Sequence, residues 1–126
     1  MTPISKNDIL CRWPGVARDI DVIRGDFPGG NCEFFYAREP LGRFSEVADD
    51  MAATYPLFPK DKRRTAKITS KLRGGEESWP IFVEADSLFI VEGRHRVVAF
   101  RACNMPFVDV IYVMPAISAD DVLCHA

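Results

Sequence analysis

The sequence predicts an α/β (α+β) domain, on two observations. The runs "PIFVEA" (80–85), "SLFIVE" (87–92) and "FVDVIYV" (107–113) are short, apolar and rich in β-branched and aromatic residues, as strands are. Between the last two, Gly93 to Asn104 carries Val97, Val98, Ala99, Phe100, Ala102 and Cys103 around most of a helical circumference, the mark of a largely buried helix. The first two runs flank a turn centred on Asp86 and form a hairpin or a closely spaced strand pair. Asn104 supplies a C-cap for the helix, and Pro106 stops it.

The upstream half is read in chain order. Residues 1–32 are broken by Pro14, Gly15, Gly25, Pro28, Gly29 and Gly30, which predicts short elements and turns. "CEFFYA" (32–37) is a strand, and Pro40 holds Glu39 out of the helical region. Phe44, Val47 and Met51 at three- and four-residue spacing predict a helix to Thr54, with Ser45 as N-cap and Tyr55-Pro56 as stop. "KDKRRTAKITSKLR" (60–73) holds seven cations and one acid and ends at Gly74-Gly75, so it is a second helix. Lys60, Arg64, Lys67 and Lys71 share one side of it, while Ile68 and Leu72 can face a core. That stripe is either a solvated face or a track for phosphates of a nucleotide or nucleic acid.

Length and composition bound the function. With 126 residues, 48% apolar and 27% charged, the chain reads as a single domain over 1–126, residues 1 to about 32 forming an N-terminal extension. A net charge of −2 excludes a globally basic nucleic-acid binder but leaves room for a basic patch. Cys11, Cys32, Cys103 and Cys124 form no C-x-x-C pair, and the first residues lack the apolar core of a secretory signal. Reduced thiols in a cytoplasmic protein are expected, and the terminal Cys124-His125 makes a poor metal site. No apolar run approaches the ~18 residues of a membrane span.

"IVEGRHRVVAF" (90–100) places Arg94, His95 and Arg96 at a helix N-terminus, the end that repels cations unless an anion joins them. Gly93 permits close backbone approach, the first-turn N–H groups face outward, and guanidinium forks match phosphate oxygens. Arg94 and Arg96 stand about 200° apart on a helix, so a shared ligand must cap its tip. Within the chain, Arg96 has Glu92 or Asp109 as alternative partners, Arg94 can be solvated, and His95 can be a hydrogen-bonded core histidine.

The block from Pro80 to Val113 resembles the ParB/sulfiredoxin superfamily, whose members have a strand pair, a Gly-x-His-Arg or Gly-Glu-Arg-Arg phosphate motif opening a helix, and a further strand. "KITSKLRGGEESWPIFV" resembles the helix leading into that pair. The resemblance implies a small mixed sheet with packed helices and nucleotide phosphates held at Gly93, Arg94, His95 and Arg96. Sulfiredoxins carry their cysteine nucleophile where this chain has Arg94, so sulfinic-acid reduction is not expected. ParB proteins use the domain as a CTP switch and continue into a DNA-reading region, whereas this chain ends soon after the last strand. The free-serine kinase branch has an acid before the motif glycine, and Glu92 stands there. Glu92 then serves as Mg²⁺ ligand or base, His95 assists catalysis, and Glu39 is a second acid by looser analogy.

Two functional classes follow. In one, the domain binds a nucleoside triphosphate, ATP or CTP, with Mg²⁺, and hydrolyses it or transfers its phosphate. In the other it is a non-catalytic DNA- or protein-binding adaptor using the same tip and the Lys60, Arg64, Lys67 and Lys71 stripe. A ParB-like nuclease would combine them.

Overall fold

Strict alternation along the last strand organises the molecule. Val108, Val110 and Tyr112 are buried on one face, and Ile111 and Val113 on the other, the period-two pattern of a strand covered on both sides. The computed structural model describes residues 1–54 and 57–116. Its strands are β1 (Thr2–Pro3), β2 (Cys32–Pro40), β3 (Ile81–Glu84), β4 (Ile90–Glu92) and β5 (Phe107–Pro115), and its helices α1 (Lys6–Arg12), α2 (Ala17–Gly25), α3 (Ser45–Thr54), α4 (Pro59–Arg73) and α5 (Arg94–Ala102). The α+β fold is thus observed. The mixed sheet has the order β1-β2-β5-β3-β4, with β3 parallel to β5 and every other neighbouring pair antiparallel.

Each face of the sheet carries its own half-core. On one, Phe44 and Ala48 from the α3 region and Val97 and Phe100 from α5 meet Ile81, Val83, Ile90, Val108, Val110 and Tyr112. On the other, Ile9, Trp13, Val16, Ile20 and Ile23 cover Phe34, Phe82, Ile111 and Val113. Residues 1–32, read from sequence as short elements and turns, therefore contribute two helices, α1 and α2, that cover this face of the sheet. Ser5 caps α1 by accepting the Asp8 N–H at 3.1 Å. Ile20 and Ile23 give α2 its buried stripe, continued by Val16 of the 3-10 turn (Pro14–Val16) that leads into it.

Several boundaries shift for identifiable reasons. Ser45 is not a cap: Leu41–Phe44 already forms a 3-10 turn, and Ser45 is helical at φ −61°, ψ −35°. The expected stop at Tyr55-Pro56 lies outside the described residues, as do Cys124 and His125. "SLF" (87–89) is loop rather than strand, because the Leu88 N–H closes onto the Glu84 carbonyl at 2.9 Å with Leu88 at φ +62°. On α4 the buried residues are Thr65 and Thr69, with Ile68 and Leu72 only half-buried, since this helix packs on α5 rather than directly on the sheet.

Both α4 and α5 end in Schellman motifs. Glu76 N–H reaches Lys71 C=O at 3.1 Å with Gly75 at φ +87°, and Met105 N–H reaches Phe100 C=O at 3.1 Å with Asn104 at φ +54°. Asn104 thus takes the left-handed position just beyond the cap. Cys11, Cys32 and Cys103 are free thiols. Among the described residues no helix is long and apolar enough to cross a membrane.

Candidate functional site

The N-terminus of α5 opens directly from β4, so its first turn stands at a sheet edge facing α2 and α4. It has no side-chain cap and no acid in its first turn, so no group on the helix itself offsets its positive end, the end that favours an anion. Gly93, the N-cap, sits at φ +107°, and a Cβ there would lie 2.9 Å from Ile81 Cγ2 and 3.2 Å from Ile81 Cα. Its glycine is required by conformation and by packing on β3, a stronger constraint than close approach of a ligand.

A cleft of about 380 Å³ lies at this tip, lined by Arg18, Asp19 and Val22 of α2, Arg64 and Ile68 of α4, and Glu92, Gly93, His95 and Arg96. The structure therefore brings Glu92, Gly93, His95, Arg96 and Arg64 together. Arg94 is not with them: its Nε donates to the Ile90 carbonyl at 3.3 Å, and its guanidinium stacks on Phe89, 4.4 Å from the ring centre. The helical angle that separates Arg94 from Arg96 sends it to the other side of the tip.

Two carboxylates from distant parts of the chain meet Arg96 and His95. Arg96 donates to Asp19 at 2.6 Å and to the Pro80 carbonyl at 2.8 Å, with its guanidinium 5.3 Å from the Trp79 ring centre. Both side chains of the Arg96–Asp19 pair are over four-fifths buried, at 13% and 17% exposure. His95 Nε2 lies 3.0 Å from Asp61 on α4. Neither Glu92 nor Asp109 pairs with Arg96; Asp109 accepts from Tyr36 on the far side of the sheet. Glu92 is half-buried, and burial first, then the Asp19 charge, raises its pKa; Arg96 and Arg18 pull it down and Asp26 adds to the rise.

Glu39 stands apart. Strand register aligns Glu92 with Phe82, Ile111 and Tyr36, and Glu39 lies three residues further along β2. Spacings of about 4.8 Å between strands and 3.3 Å per residue put it roughly 17 Å from Glu92. Its carboxylate accepts from Arg43 at 2.8 Å and from Tyr112 at 3.1 Å. Lys60, Arg64, Lys67 and Lys71 are all exposed, and no ion pair among the described residues engages them.

Sequence reasoning missed Arg18 and Asp19. The stripe of Val16, Ile20 and Ile23 could have placed them on the flank of a helix, but nothing local says that this flank reaches Arg96. Among the described residues no group of three or more His, Cys, Asp or Glu side chains is placed to hold a metal ion. Asp19 and Glu92 both line the cleft; with Asp19 held by Arg96, Glu92 is the carboxylate that would hold a Mg²⁺ entering with phosphates, since Mg²⁺ ordinarily takes one or two carboxylates together with phosphates and water. A shallower depression of about 690 Å³ along the β1–β2 edge gathers no comparable charge: Arg24 there donates to the Gly30 carbonyl, and Lys6 lies 3.9 Å from Asp21.

No family model matches the chain, and no curated protein or solved structure matches it. The chemistry of the cleft carries the functional reading.

Proposed function

We propose that this cleft binds the phosphates of a nucleoside triphosphate, ATP or CTP, in a cytoplasmic domain of the ParB/sulfiredoxin kind. The observation that carries the reading is the convergence of three guanidiniums (Arg18, Arg64 and Arg96), His95 and the uncapped α5 N-terminus around one cavity of about 380 Å³. Such donors match phosphate oxygens and a helix N-terminus favours the charge. Arg18 and Arg64 make the first contacts, because neither is held in an ion pair among the described residues. Arg96, fixed by Asp19 and Pro80, offers its charge from the cleft wall, and Asp61 orients the His95 ring.

Hydrolysis or phosphoryl transfer is the chemistry proposed for Glu92. A carboxylate shifted upward by burial is better matched to accepting a proton near neutral pH than an ordinary one. Mg²⁺ brought in with the phosphates would neutralise charge developing on them.

Calorimetric titration with ATP, CTP and inorganic tripolyphosphate, with and without Mg²⁺, tests this reading. The Arg18→Gln/Arg64→Gln double variant is expected to weaken all three at least tenfold, since a charge-assisted bond contributes about 1.5–3 kcal/mol. Wild-type affinity in the double variant would end the phosphate assignment. Phosphate release that persists at full rate in Glu92→Gln would remove that residue from the chemistry.

The exposed stripe on α4, in no ion pair among the described residues, favours a second reading, a non-catalytic adaptor whose cleft and Lys60, Arg64, Lys67 and Lys71 hold a DNA backbone or an acidic protein partner. A duplex bound this way weakens steeply as salt rises. Coupled Mg²⁺-dependent strand cleavage would identify a nuclease.

A further inference from the structure

Beside the cationic cleft runs a second, smaller hollow of about 160 Å³, lined by Ile68, Leu72, Phe100 and Trp79 with Lys71, Glu76, Glu77 and Ser78 among its polar walls. Ile68 and Arg96 line both cavities, so the two open on either side of the same pair of side chains. The hollow is well below the ~300–1,000 Å³ of a site that encloses a whole small molecule, and its apolar walls suit a flat ring rather than phosphate.

Trp79 is held as a platform. It keeps 42% of its surface exposed, although it is a large aromatic beside a core. Its six-membered ring lies so close to Gly15 that a Cβ there would come within 2.2 Å of Trp79 Cζ2, and Arg96 approaches the indole at 5.3 Å. The backbone of the turn between α1 and α2 therefore packs directly against one part of the ring.

We infer that this hollow is the nucleobase subsite, with the base packed against the exposed part of Trp79 over Leu72 and Phe100 while its phosphates cross Arg96 into the cleft. The inference rests on the phosphate reading above and extends it to residues outside the α5 tip. Indole–base packing tolerates any base, and the exposed Glu76 and Glu77, with the half-buried Ser78, supply hydrogen-bond acceptors at its edge.

The test is a titration of tripolyphosphate, ATP and CTP into wild type, Trp79→Ala and Trp79→Phe, followed by calorimetry and by tryptophan fluorescence. Trp13 is buried at 1% exposure, so a ligand-induced change reports Trp79. At least one nucleotide is expected to bind more tightly than tripolyphosphate by about five- to 150-fold, the equivalent of one stacked base. Trp79→Ala should bring that nucleotide down to the tripolyphosphate level and leave tripolyphosphate unchanged, while Trp79→Phe retains most of the preference and loses the fluorescence change. Equal affinity of tripolyphosphate and both nucleotides for wild type, or equal weakening of all ligands by Trp79→Ala, would overturn the base subsite and leave the phosphate site standing. No binding of any of the three to wild type sinks the phosphate reading and this one with it.

Discussion

Glu92 is held between opposed influences at the level of single residues. Burial and the Asp19 carboxylate favour its protonated form, and Arg96 and Arg18 favour the charged one, with burial the largest cause. The net rise means that the folded chain keeps this proton at a pH where the unfolded chain has released it. Stability from this group is therefore fully present below the ordinary glutamate value of about 4.3 and is lost as pH climbs through the raised value. A glutamine has no such dependence. Urea unfolding of wild type and Glu92→Gln from pH 4 to pH 8 should show the variant gaining relative stability as pH rises, with the difference levelling off above the native pKa. A pH-independent difference would mean that the ionised carboxylate is well solvated or fully paired in the folded state. The same substitution separates the ligand roles, since removing a negative charge should tighten Mg²⁺-free tripolyphosphate and weaken Mg²⁺-dependent binding.

Among the elements, β4 and α5 are joined through Gly93, whose φ of +107° and contact with Ile81 leave no place for a side chain. Alanine there must accept an unfavourable backbone region, about 1–2 kcal/mol, and overpacking against β3, about 1–3 kcal/mol. Gly93→Ala should lose roughly 2–5 kcal/mol in urea unfolding, whereas Gly42→Ala, with open space around it, should be neutral or slightly stabilising. A near-neutral Gly93→Ala would mean that the joint tolerates a side chain. This joint also shows what the sequence could disclose. Apolar runs, Asn104 and Gly74-Gly75 were legible because their consequences are satisfied by near neighbours, as the two Schellman motifs are. Gly93, Glu92, His95 and Arg96 were legible as a cluster because they are consecutive or nearly so. The partner of Arg96 was not, since Asp19 is 77 residues away, and the rotation of Arg94 onto Phe89 depends on a loop whose Leu88 takes a left-handed conformation no apolar pattern announces.

At the scale of the whole molecule, the N-terminal layer ties stability to the site. Ile9, Trp13, Val16, Ile20 and Ile23 are each at most 1% exposed, and burying such side chains contributes about 1.5–3 kcal/mol apiece. Their sum is on the order of the 5–15 kcal/mol by which a domain of this size is stable. The same layer carries Arg18 and Asp19 to the α5 tip and sets Gly15 against Trp79. Removing residues 1–31 would expose Phe34, Phe82, Ile111 and Val113 and leave Arg96 without its carboxylate. The shortened chain is expected to show no cooperative thermal transition and no tripolyphosphate binding, read by near-ultraviolet circular dichroism and calorimetry. A sharp transition in that chain would mean that the α3, α4 and α5 side folds alone, the first layer being an addition to a self-sufficient half. Tripolyphosphate binding kept at wild-type strength as well would move the phosphate contacts from Arg18 to Arg64, His95 and the α5 amides. If the layer is needed for both, the cleft exists only when α2 has docked, and a substitution that loosens α2, such as Ile20→Ala, should weaken ligand binding and stability together.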